Sequence, residues 1–347
     1  MAATTHWLMN ASVEIYAPDL VRELEHGLAR HDMRARSLVT MLARADYEPC
    51  RERDFVAAVL AACGCEYAGA GTAPLAAALA AYDLDDTPSA DVMCSEPVYL
   101  RADAARVVLF DAASIGLSAT ESDALLALLN PAFADQGLRF RRGRSPLRWY
   151  VEGVALPHFE SAAPRTLHGT ALEPNMTQMR GLGPLNTVMT EIQMLLHECP
   201  VNQARVEAGK PPVNSIWFWG AGSLTAPDNP SAQHLICADD IAAACAGYFA
   251  IDYHRNAHTL AGIVSRATGP VAILCPPDSA EGRLKPFMDE IFQPALVGLR
   301  ERRVADISVI TGPSRFVLSR AALRRFWRRS QPFFARFVSR TRGAAET

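Results

Sequence analysis

The sequence predicts an α/β fold, a largely parallel sheet flanked by helices. Three observations carry this reading. Strand-like apolar runs at 234–237, 271–275 and 306–311 alternate with helical patterns at 240–249 and 280–300, the alternation that builds a parallel sheet through crossover helices. The strongest strand signal, residues 213–219, runs straight into Gly220-Ala221-Gly222. Half of the 347 residues are apolar and a fifth are charged, which suits a chain with a large core.

Taken in order, the N-terminal third is helical in pattern. Pro18-Asp19 opens a stretch with Leu20, Val21, Leu24 and Leu28 at helical spacing, and 53–63 and 74–81 continue in the same manner. A turn-rich break follows at 84–89. Residues 97–100 and 106–111 read as strands, 121–129 as an amphipathic helix, and 138–140 and 148–152 as strands around a Gly143/Pro146 turn. Residues 153–185 form a long connection rich in Gly, Pro, Thr and Ser. Helices are expected at 185–198 and 202–208, the second closed by Gly209. The chain ends with a short strand at 315–318 and an Arg-rich helix from Arg320.

Eight scattered cysteines do not make a disulfide scaffold, and free thiols in a reducing compartment are expected. Cys63-x-Cys65 lacks both the redox spacing and a second zinc pair. No run of eighteen apolar residues is present, and the first thirty residues lack the pattern of a secretory signal, so a cytoplasmic address is expected. The net charge of −3 is unevenly placed: residues 307–347 hold nine arginines and one acid, leaving −11 on residues 1–306. The basic, aromatic tail could lie on a membrane or a nucleic acid. Docking on the acidic body is the better reading, because opposite charge is available within the chain.

The leading candidate site is Trp217-Phe218-Trp219-Gly220-Ala221-Gly222, since open α/β sheets bind ligands at the carboxyl ends of strands. The alternative is a tight turn with core tryptophans. Thr225 stands where a dinucleotide fingerprint wants its third glycine, and no phosphate loop or G-x-S-x-G elbow is present, so Ser223 is no recognisable nucleophile. Asn202, Arg205 and Asn214 flank the junction, and a guanidinium fork suits phosphate or carboxylate. His254 and His258 would share a helix face, but they lack the glutamate of H-E-x-x-H and a third ligand. Asp85-Asp86 reads as a solvated turn.

Several blocks carry a resemblance. Glu96-Pro97-Val98-Tyr99-Leu100-Arg101-Ala102-Asp103 with Leu109-Phe110-Asp111, then Gly137-Leu138-Arg139-Phe140 and Arg148-Trp149-Tyr150, form the first group. Glu191 through Asn202, Pro212 through Gly220, and Arg324 through Arg329 form the second. Together they resemble the regulatory protein RpfE type family. The segment from Val201 to Gly222 is similar to archaeal-type cofactor-independent phosphoglycerate mutases of the alkaline phosphatase superfamily. That resemblance implies an alkaline-phosphatase-like core with an inserted α+β subdomain. The expected division is 1–90 and 201–347 as core, with 91–200 inserted.

Chemistry in that superfamily needs two divalent metals, held by Asp and His, and a Ser or Thr phosphoryl carrier. Residues 6–15, at the first strand, show no acidic metal motif, and no Asp-His pair stands near the C-terminal strands. Glu96 and Tyr99 replace the RpfE-type Asp and His. The expectation is a non-catalytic scaffold binding a small anionic metabolite or a protein partner. Its ligand residues would be Asn202, Arg205, Asn214, Trp217, Trp219, Gly220, Gly222, Arg101 and Asp103. No catalytic residue, metal ligand or cofactor is recognisable. An active metal-dependent phosphotransferase is the alternative, and a divalent metal belongs only to it. Nucleic-acid binding and membrane contact by the C-terminal helix are not expected.

Overall fold

The computed structural model describes residues 11–50, 54–65, 73–84, 91–103, 106–153, 161–172, 183, 185–222, 224, 227, 230–266, 269–276 and 284–328. The chain forms two compact units, 1–66 with 227–347, and 67–226 between them in sequence. The boundaries expected at 90/91 and 200/201 both fall inside the second unit. Asp85-Asp86, Ser223, Thr225 and the tail beyond 328 lie outside the described residues.

The first unit is a seven-stranded sheet. Its strands are β1 (Ala11–Tyr16), β2 (Asp46–Pro49), β9 (His234–Ile236), β10 (Asp252–His254), β11 (Val271–Leu274), β12 (Val304–Thr311) and β13 (Ser314–Ser319). The order is β10-β9-β11-β1-β12-β13-β2. The first five run parallel, and β13 and β2 join antiparallel. Val13 pairs with Val271 on one side and Ile307 on the other, so β1 is central. Val13 and Ile15 lie on the face that packs against Leu20, Leu24, Leu38, Leu42, Phe292 and Leu299. Those residues come from the helices Leu20–Ala29 and Met33–Arg44 and the helical run 287–300, where helical spacing keeps one apolar stripe on the sheet. The helices Phe55–Ala62 and Asp240–Tyr248 pack on each other, and the first also packs on β11.

The second unit holds an antiparallel sheet. It comprises β3 (Val92–Asp103), β4 (Arg106–Asp111), β5 (Arg139–Arg142), β6 (Trp149–Glu152), β7 (Ala171–Leu172) and β8 (Ser215–Trp219). The path is β5-β6-β3-β4-β7, with β8 also on β3. Residues 215–219 are therefore not a strand of the parallel sheet. They pair antiparallel with β3, Cys94 opposite Trp219 and Val98 opposite Ser215. All five are buried, which is why the run reads as a core strand of either kind. The helix Ala119–Phe133 opens on a capping box, in which Ser118 accepts from the Glu121 N–H and the Glu121 side chain accepts from the Ser118 N–H.

All eight cysteines are free thiols. Among the described residues no helix is long and apolar enough to cross a membrane. His254 and His258 do not share a helix: His254 ends β10, and His258 sits in the short 3-10 turn Ala257–Thr259. The ring of His254 instead lies 3.4 Å from His234 of the neighbouring β9.

Gly298 marks the tightest helix-to-sheet approach. A Cβ there would stand 2.3 Å from Val264 Cγ1 and 2.9 Å from Val304 Cγ2. Gly298→Ala is expected to destabilise the first unit by about 1–3 kcal/mol, the usual range for overpacking. Urea unfolding followed by circular dichroism checks it, through a lowered midpoint with an unchanged slope.

Candidate functional site

Three parallel strands point their carboxyl ends at one cavity of about 310 Å³ in the first unit. Its floor is Ala17-Pro18-Asp19 after β1, Cys237-Ala238 after β9, and Cys275-Pro276 after β11. Ladder bonds continue past the strands and fix these loops: Ala17 N–H donates to Ile310 O and Cys275 N–H to Tyr16 O, both at 2.9 Å. The chain leaves β9 into the helix Asp240–Tyr248, outside the main apolar cluster, and leaves β11 into a helical run that belongs to it. Adjacent parallel strands whose connections diverge in this way open a crevice at their carboxyl edge.

The wall opposite β1 is the helical run 284–300. Its middle, Phe287–Phe292, is a π-helix, which places Phe287, Glu290 and Ile291 along the cavity. The polar lining is mixed. Asp19, Glu23 and Glu290 are acidic, Arg255 and His258 basic, and Asn256 neutral. Asp19 Oδ1 lies 3.3 Å from Arg22, while its Oδ2 is buried and has no hydrogen-bond partner among the described residues. Arg255 lies 3.2 Å from Asp240, and His258 3.6 Å from Glu290. The sequence reading missed Asp19 as a site residue because it took Pro18-Asp19 only as the opening of a helix.

The residues expected to bind ligand lie elsewhere, in the second unit, and most are committed to its own backbone. Asn202 donates through Nδ2 to Leu196 O and Val213 O and accepts from Val213 N–H. Asn214 exchanges both amide bonds with Leu100 at 2.8 Å. Arg205, only 1% exposed, donates to Pro211 O, Ile115 O and Glu121 Oε1. Burial works against the Glu121 anion, but the Ser118 donors and Arg205 outweigh it and hold its carboxyl below the usual range. Trp217 donates to Ala162 O. Gly220 has φ +73°, accepts from Ala76 N–H, and has no room for a Cβ beside that nitrogen at 3.2 Å. Gly222 also takes a positive φ. Arg101 lies over the Phe110 ring at 4.9 Å, and Asp103 is exposed at the end of β3.

Trp219 is different. It is 2% exposed, and its indole N–H makes no well-aligned hydrogen bond but lies near enough to the Glu96 carboxyl to favour its anion. It lies diagonal to Glu96 on one face of the β3–β8 pair. Around Glu96 lies a network the sequence did not reveal. Tyr150 OH donates to Asp83 Oδ2 at 2.6 Å, and Arg148 donates to the same oxygen at 3.0 Å. Burial pushes the Glu96 carboxyl up to about 7. Arg148, Arg165 and the Trp219 N–H oppose this, and Asp111 adds to it. Burial likewise raises the Cys94 thiol and the Tyr150 hydroxyl.

No family model matches the chain. A segment of 107 residues is 29% identical to the 2,3-bisphosphoglycerate-independent phosphoglycerate mutase of Methanosarcina mazei. The chain is distantly similar to that mutase. The segment is 30% of this chain and spans only 27% of the mutase's length. The cofactor-independent phosphoglycerate mutase from Thermoplasma acidophilum superposes with a TM-score of 0.43 at 15% identity, over 90% of each chain. The PH0037 protein from Pyrococcus horikoshii gives 0.47 at 15% identity, over 89% of this chain and 88% of that one. Both scores fall short of 0.5, so the mutase likeness rests on the sequence segment. The RpfE-type blocks have no family model behind them.

Two outcomes follow for the second unit. Arg205→Ala strands two backbone carbonyls and the Glu121 carboxylate, and should cost about 3 kcal/mol of stability in urea unfolding. Glu96, with a folded value above its unfolded one, binds a proton more tightly in the native state. Its contribution is complete below about pH 4 and is lost as the pH rises through 7. Stability should fall by about 2–3 kcal/mol across that window. Glu96→Gln should flatten that part of the pH profile and leave the protein more stable than wild type at pH 8.

Proposed function

We propose that this chain is a phosphomutase-like scaffold that holds a small anionic metabolite in the carboxyl-edge cavity and works by binding rather than by phosphoryl transfer. The observation that carries the proposal is the cavity itself, where three strand ends converge and a buried Asp19 oxygen lacks a partner. A polar oxygen left without a partner is costly, and a ligand hydroxyl would supply the missing donor. An anionic group of the same ligand fits the rim at Arg255 and His258. It would compete there with Asp240 and Glu290, which favours a ligand of low charge.

The two-cation centre implied by the superfamily resemblance is a poor fit to the described residues. Among them no group of three or more His, Cys, Asp or Glu side chains comes together to hold a metal. Asp19, Glu23 and Glu290 line the cavity without forming such a group. No step through a metal is therefore assigned. The regulatory role implied by the RpfE-type blocks belongs to the same proposal, with the scaffold as receptor for the metabolite.

The test uses the full chain. Thermal shifts are measured with a panel of phosphoglycerates and hydroxycarboxylates, on wild type, Asp19→Asn and Arg255→Ala. A shift in wild type that shrinks in both variants supports the proposal, and no shift with any member of the panel removes it. Metal analysis and a phosphoglycerate interconversion assay run alongside. Bound divalent metal with chelator-sensitive turnover would replace the receptor by an active phosphotransferase.

A further inference from the structure

The opposite edge of the first unit's sheet carries a second recess, of about 390 Å³, lined by Arg300, Arg302, Arg320, Ala321, Leu323 and Arg324. Four of its six lining residues are arginines and none is acidic. Among the described residues none of the four guanidiniums makes an ion pair or a hydrogen bond. The neighbouring arginines behave otherwise: Arg303 lies 3.4 Å from Glu301, and Arg325 and Arg328 both reach Asp46. The unpaired set thus lines one concavity, while the neighbouring arginines already have carboxylate partners.

Helix-end electrostatics explain one of the four at most. Arg300 is in the last turn of the helix Gln293–Arg300, where a cation is favoured. Arg302 is harder to explain structurally. It follows the helix at φ +66°, the left-handed position that ends helices of this type. Its N–H donates to Leu299 O, and Arg303 N–H donates to Gly298 O. Glycine is the usual residue there, because a Cβ is strained in that conformation. An arginine at this position places a cation in the recess against the local backbone preference.

We propose that this recess is a binding site for a soluble anion carrying two or more adjacent phosphate groups. Planar guanidiniums bind phosphate oxygens two at a time, and several of them around one concavity match a chain of phosphates better than a single one. The concave shape favours a soluble ligand over a membrane, which is bound by extended, convex basic surfaces. The site is distinct from the carboxyl-edge cavity. Arg300 and Arg302 precede β12, and Arg320 and Arg324 follow β13, so all four flank the amino end of β12. Asp306 pairs with Ser319 at that end.

Titration calorimetry of the full chain with inorganic tripolyphosphate tests the proposal. Saturable binding is expected, weakening as salt rises and stronger than binding of sulfate at matched ionic strength. Arg302→Gly should weaken binding about tenfold while the melting temperature stays level or rises, since glycine relieves the strained position. A purely structural arginine would instead lower the melting temperature and leave binding alone. The double variant Arg320→Ala, Arg324→Ala should lose binding as well. Unchanged binding in both variants overturns the proposal, as does tripolyphosphate binding no better than sulfate. Co-sedimentation with phosphatidylcholine vesicles bearing phosphatidylinositol bisphosphate, without binding of free tripolyphosphate, would assign the surface to a membrane and overturn it too.

Discussion

The six residues of β1 hold the first unit together. Both of its edges are paired, with β11 and with β12, strands that lie more than 250 residues later in the chain. The unit cannot close its sheet until those distant strands arrive, and the whole of 67–226 must fit between them in sequence. The pairing also decides where chemistry can occur. Parallel strands place their carboxyl ends on one edge, and the bonds from Ala17 and Cys275 carry the ladder into the loops that line the cavity. Loops held by backbone ladders move less than free connections, so the floor of the cavity is preformed.

In the second unit, residue types associated with ligands work on the backbone instead. Asn130, Asn202 and Asn214 each use the side-chain amide as a substitute peptide unit, offering one acceptor and one donor to Phe140, Val213 and Leu100. Arg205 does the same for two loop carbonyls with a guanidinium. The physical demand is general: buried N–H and C=O groups need partners where the ladder ends. Asn, with both functions on a short stem, and Arg, with several donors on a long one, meet it best. A density of Asn and Arg beside a buried strand is therefore ambiguous between a site and a seam. Here the hydrogen bonds commit the side chains of Asn202, Arg205 and Asn214 largely to the backbone, while Asn214 also lines a recess of about 860 Å³ with Gln193, His197 and Glu198.

Much of the fold was legible in the sequence, and the failures have identifiable causes. Strands β9, β11 and β12 and the helices near 240–248 and 284–300 followed from apolar periodicity, because crossover helices and buried strands carry opposite periods; β10 and the helix Leu260–Arg266 between β9 and β11 did not. The run 213–219 was found as a strand but assigned to the wrong sheet. A strand buried on both faces has no alternation, and nothing local says whether its partner runs parallel. The S-x-x-E cap at Ser118–Glu121 was readable, yet the helix was expected to begin only at Glu121. Two features were out of reach. Glu96 lies among Arg148, Arg165 and Trp219, from four separate stretches of chain. The arginine recess joins residues from the acidic body to residues of the basic tail, so a division of charge at residue 307 hid it. The expected docking of the tail holds for Arg325 and Arg328 on Asp46, but Phe326 and Trp327 are 79% and 65% exposed.

The two edges of the first unit's sheet lie at opposite ends of its strands. Along β12, eight residues long, they stand roughly 23 Å apart at a strand's usual rise. That is about three screening lengths at physiological salt. Through solvent, the field of an anion at the arginine recess is therefore strongly screened before it reaches Asp19 or Glu290. Matter connects them instead. The helical run 284–300 contributes Leu284, Phe287, Glu290 and Ile291 to the cavity and ends on Arg300 at the recess. Its middle is the π-helix, and its last turn is packed by Gly298 against Val264 and Val304 with no space to spare. A shift of this run along its axis would disturb both sites at once, because a close-packed helix moves as a body. Among the described elements it is the one that lines both, so its packing offers a direct route for coupling between the two edges, beside the indirect one through the helices Leu20–Ala29 and Met33–Arg44.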